Sequence, residues 1–144
     1  FHSKFDTTQF SASAFQDIVG QAQKNLGNVS PQDYQLDGKR DFWNSQYIST
    51  TGVATSINRL RKGDNINNAI NLYKSATNNP NFHGEVHLVI NFISKSNLET
   101  NLKLLKANTP FGQRNETIQI LWFISSLIAS TQEVNTNVFI HTKP

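Results

Sequence analysis

Between residues 84 and 94 the apolar residues Val86, Leu88, Ile90 and Phe92 occupy every second position. Glu85, His87, Val89, Asn91 and Ile93 fill the alternate places and face the other way. That period suits a strand with one buried face, so the chain must build a sheet and something apolar to pack on it. Val134, Thr136, Val138 and Ile140 alternate in the same way and predict a terminal strand. Residues 46–51 form a third, shorter β-type run. These three segments, at 46–51, 86–93 and 133–141, are expected to share one core, with Val138 and Ile140 buried in it.

The helical signals lie between them. Phe15, Ile18, Val19, Ala22 and Leu26 recur at helical spacing behind Ser13 and Gln16, which are spaced as a capping box, and Gly27 supplies a stop. Ala54, Ile57 and Leu60 predict a helix that runs to Gly63. Asp64 stands as the cap of another, which carries Ile66, Ala69, Ile70 and Tyr73. Ser96 and Glu99 form a second box ahead of Leu98, Leu102 and Leu105. Over 116–130, the length and the spacing of Leu121, Ile124 and Ile128 favour a helix with those residues on its buried face. The expected fold is α+β: a single domain, 1–144, with a mixed or antiparallel β core and several short amphipathic helices.

Composition narrows the chemistry. The 144 residues are 37% hydrophobic, enough for a core and against disorder. With no Cys, there is no disulfide, thiolate metal site or Cys nucleophile. The apolar run at 118–129 is shorter than the roughly 18–20 residues of a membrane span, so no span is expected. A net charge of +3 is too weak to name a nucleic-acid partner, which is possible but not indicated. A chain that opens at Phe1 and contains no Met is expected to have been cut from a longer product.

Glycine-rich phosphate loops, nucleophile elbows, calcium loops and helical His pairs are absent. His83 and His87 are four apart but enter a strand, where that spacing does not make a helical metal pair, and no metal is expected. The sharper pattern is Tyr47-Ile48-Ser49-Thr50-Thr51 before Gly52, which gathers hydroxyls and turn amides at a strand end. They could orient a carboxylate or a ligand's ribose and phosphates, or simply be β-tolerant, N-capping residues at a strand-to-helix junction. Lys4 and Asp6 share one face of an extended N-terminal segment, and Glu133 stands at the start of the terminal strand, in Thr131-Gln132-Glu133-Val134.

The order cation, Ser-Thr-Thr, Gln-Glu-Val resembles the ADP-ribosyltransferase toxins of the cholera and pertussis group. The matched residues are few but extend from Lys4 to Glu133. The resemblance implies a secreted or delivered toxin fragment, a cleft for NAD as substrate, and transfer of ADP-ribose to an acceptor macromolecule it does not identify. It makes Glu133 the catalytic carboxylate, with Ser49 orienting it and Lys4 in the place of the family's arginine. Thr50 and Thr51 would support the site, and Tyr47 or Trp43 would offer an aromatic face to nicotinamide. Arginine-modifying members carry a second Glu where this chain has Thr131, so the resemblance implies another acceptor, plain NAD hydrolysis or an inactive relative.

Two other classes fit the same residues. In a small ribonuclease-type domain, His83, His87 and His141 serve as acid and base, with Lys or Arg stabilising the phosphate. A viral or cell-surface binding protein would use the Asn-rich surface and the basic cluster Arg59, Arg61 and Lys62.

Overall fold

The alternation at 86–92 forms β4 (Gly84–Ser94), the central strand of a three-stranded sheet. The computed structural model describes residues 1–63 and 65–144. The order of elements is β1 (His2–Lys4), α1 (Ala12–Asn25), α2 (Asp33–Asp37), α3 (Arg40–Trp43), β2 (Gln46–Ile48), β3 (Ala54–Asn58), α4 (Ile66–Thr77), β4, α5 (Lys95–Lys106), α6 (Arg114–Gln132) and β5 (Thr136–Lys143). The fold is α+β, and its chain divides into two compact units, residues 1–29 with 83–144 and residues 30–82.

In the first unit β1 and β5 flank β4, and both pair with it in parallel. Parallel neighbours need crossovers long enough to return the chain, and helices occupy both connections. Val86, Leu88, Ile90 and Phe92 are buried as expected, against Phe15, Ile18 and Val19 of α1 and Ile120 and Leu127 of α6. Leu98 of α5 packs on the same core. Val138 and Ile140 are only partly buried, because β5 is an edge strand and has a neighbour on one side. Leu88 and Ile18 are fully enclosed, so truncating either to Ala would cost about 2–5 kcal/mol.

The second unit has its own small core of Leu36, Ile66 and Ile70, with Trp43 and Tyr73 against it. Its β2 and β3 form an antiparallel hairpin, so residues 46–51 do not join the sheet of β4 and β5. Residues 54–58 are therefore strand, not the expected helix. Ser49 and Val53 close a three-residue loop in which Gly52, at φ 80°, takes the left-handed conformation that reverses the chain. The apparent helical spacing of Ala54 and Ile57 was coincidental, and both are exposed.

Several boundaries also move. Ser11, rather than Ser13, caps α1 by accepting the Ala14 N–H, and Ser94, rather than Ser96, caps α5 by accepting that of Asn97. The expected cap Asp64 lies outside the described residues, and Asn65 caps α4. In α6 the buried line is Thr117, Ile120, Leu127 and Thr131 with Ile124 half-buried, while Ile128 is exposed. The helix is apolar on several sides, so the inward face was ambiguous in phase. Among the described residues no helix is long and apolar enough to cross a membrane.

Candidate active site on the open face of the sheet

Helices α1, α5 and α6 pack on one face of the three-stranded sheet. Within this unit the other face has no helix over it, and Val89 and Phe139 are each about 40% exposed on it. Parallel sheets are ordinarily covered on both faces, so an open one stands out as a working surface. Register decides what it carries. Glu85 lies beside Asn137, His87 beside Phe139, and Val89 beside His141.

Those pairings gather a hydrogen-bonded chain. The Nε2 of His87 lies 3.0 Å from Oε2 of Glu85, and its Nδ1 lies 2.9 Å from Nε2 of His141. Rings hold His87 upright between the strands. Phe1 stacks on it at 4.5 Å between ring centroids, Phe139 at 4.9 Å and His141 at 5.2 Å, all within 17° of parallel. The His87 side chain is accordingly only 17% exposed, whereas Glu85 and His141 reach solvent.

With Glu85 ionised and both imidazoles neutral, one arrangement of protons satisfies the chain of bonds. An ionised carboxylate only accepts, so His87 donates from Nε2–H to Glu85. The neutral ring then has a lone pair at Nδ1, which accepts the Nε2–H of His141. The other ring nitrogen of His141, Nδ1, takes no part in the relay, and the side chain is exposed. A carboxylate thus fixes the tautomer of two successive imidazoles and leaves a base at the exposed end. His83 stands apart from this relay, with Nδ1 3.2 Å from Oδ1 of Asn135. Among the described residues no group of three or more His, Cys, Asp or Glu side chains is arranged to hold a metal. Elsewhere, burial lowers the pKa of the His2 imidazole and raises that of the Tyr73 phenol in the second unit.

The residues implied by the toxin resemblance have other surroundings. The Lys4 ammonium points to α1 and pairs with Asp17 at 2.8 Å. The Ser49 hydroxyl accepts the Val53 N–H and lies 2.8 Å from the hydroxyl of Thr51, inside the hairpin loop that also holds Thr50. Trp43 packs against the core of the second unit. Tyr47 and Phe42 both face the Arg59 guanidinium, at 5.4 and 4.0 Å, so a cation already uses the ring of Tyr47. Glu133 is not on a strand. It is the exposed C-cap of α6, at the helix end whose dipole disfavours a carboxylate, and β5 begins only at Thr136. The expected placement of Glu133 and Ser49 on neighbouring strands does not occur, because β2 pairs with β3 and β5 with β4.

Glu85, Phe1 and Phe139 received no role from the sequence. The period-2 pattern already put Glu85 and His87 on one face, but the relay also needs β5 beside β4 in this register. Comparison with protein-family models, curated proteins and solved structures finds no match to this chain.

Proposed function

We propose that this chain is a histidine-based phosphodiesterase of the ribonuclease type, acting on single-stranded RNA at the open face of its parallel sheet. The observation that carries the reading is the Glu85–His87–His141 relay, which ends in an exposed imidazole. In the proposed reaction the Nδ1 of His141 takes the proton of a ribose 2′-hydroxyl. The 2′-oxygen attacks the adjacent phosphorus, the bond to the 5′-oxygen breaks, and that oxygen takes a proton from water at the open surface. The products are a 2′,3′-cyclic phosphate and a free 5′-hydroxyl. His87 and Glu85 spread and neutralise the positive charge that His141 acquires. Phe1 and Phe139 present ring faces beside the relay, and a base stacked on an aromatic ring gains about 1–3 kcal/mol.

The test is incubation with single-stranded RNA and with DNA of the same sequence. RNA should be cut to cyclic-phosphate ends while DNA, which lacks the 2′-hydroxyl, stays intact. His141→Ala should lose about 10²–10⁴-fold in rate, the usual contribution of a positioned general base. Intact RNA at excess protein would refute the proposal. Release of nicotinamide from NAD in a parallel sample would instead favour ADP-ribosyl transfer through Glu133, Ser49 and Lys4.

A further inference from the structure

On the side of the sheet away from the relay lies an apolar pocket of about 240 Å³, half open to solvent. Its walls are Phe15, Leu98, Ile120, Ile124 and Ile140, with Lys95 and Thr142 among the lining residues. A break in strand pairing adjoins it. β4 and β5 leave register after Val89 and His141 and meet again at Ser94 and Lys143, so residues 90–93 stand opposite Thr142 alone. The bulge turns Ile93 inward beside Phe92, and both are buried. The pocket is open to solvent on one side, and a lining this apolar gains when an apolar molecule displaces the water against it.

The geometry points to a binding site for a medium-chain carboxylic acid, tail inward and carboxylate at Lys95. Size sets the tail. An apolar cavity of roughly 150 Å³ takes a six-carbon ring, which scales to about eight to ten carbons here. Charge sets the head. The Lys95 side chain is 76% exposed and makes only a long, solvent-exposed ion pair with Glu99, at 3.9 Å, which an incoming carboxylate could displace. Lys95 also opens α5, whose first turn carries no acidic residue, so an incoming carboxylate meets a favourable potential at the rim. The site uses none of the relay residues and stands whether or not RNA is the substrate.

Titration calorimetry of the intact chain with hexanoate, octanoate, decanoate and dodecanoate tests the assignment. One molecule should bind per chain, with affinity rising to eight or ten carbons and no further. Ile124→Trp fills the cavity and should abolish binding with an unchanged far-UV spectrum. Lys95→Gln, at an exposed position that folding does not depend on, should weaken octanoate about two- to fivefold and leave octan-1-ol unaffected. Absence of saturable binding by the wild type would overturn the proposal. So would affinity that keeps climbing through dodecanoate, or octanoate bound equally well by Lys95→Gln.

Discussion

Glu85 touches no substrate in the proposed reaction, yet the direction of the relay depends on its charge. Glu85→Gln keeps an acceptor oxygen within reach of His87 and removes the ionic end of the chain. Its amide also has two donors, so either ring tautomer of His87 is then accommodated. The expected effect is a fall in kcat of about 10–100-fold with KM unchanged, the pattern of a residue that orients another group. Steady-state kinetics on RNA separates this from a structural role, and a matching rise in KM would contradict it. Individual residues were legible where one period sufficed. His87 and His141 were visible as candidate acid and base. Glu85 was not, because its partner is two residues away on a strand whose own neighbour lies some fifty residues further on. The Ser49-Thr50-Thr51 run shows the converse. Hydroxyls that can orient a ligand can also close a loop, and here those of Ser49 and Thr51 bond within the loop itself.

Among elements, β4 was plain because its buried face is strictly alternate, and α6 because its apolar run is long. The hairpin was misread since Ala54 and Ile57 are three apart and nothing local shows that Gly52 adopts a positive φ. Parallel pairing was invisible too: alternation tells which face is buried but not which way the neighbour runs. One residue at the start of β4 carries an element-level demand. A Cβ placed on Gly84 would lie 2.6 Å from Oγ1 of Thr136 and 2.8 Å from Cγ1 of Val29. Both neighbours are β-branched and stiff at χ1, and the Thr136 hydroxyl is engaged with the Val134 carbonyl. Neither can swing aside without loss. Gly84→Ala should destabilise the first unit by about 1–3 kcal/mol, read as a lower urea midpoint at an unchanged slope. Gly20→Ala meets no atom within 4 Å and lies inside α1. It should be neutral or stabilising by up to about 1 kcal/mol, a control of opposite sign.

At the scale of the whole chain, the two units have separate cores, and the first is interrupted in sequence by the second. The close approach of Val29 to Gly84 brings the two ends of that interruption together within the first unit. A compact insertion whose ends meet at a surface is removable in principle, because the host sheet needs only a short bridge to keep its connectivity. Replacing residues 30–82 by a Gly/Ser linker of about four to six residues, an ordinary connection length, should leave a chain that folds cooperatively. It retains β1, α1, β4, α5, α6 and β5, with Glu85, His87, His141, Phe1 and Phe139 all present. The excision also divides the functional readings. RNA cleavage through the relay should survive it. Any reaction that requires Ser49, Thr50, Thr51, Tyr47 or Trp43 must be lost, since all of these lie in the removed segment, even though Lys4 and Glu133 remain. Thermal unfolding by circular dichroism gives the first answer and RNA cleavage the second. A shortened chain that folds but no longer cuts RNA, beside a parent that does, would show that the second unit contributes to the site and that the relay alone is insufficient.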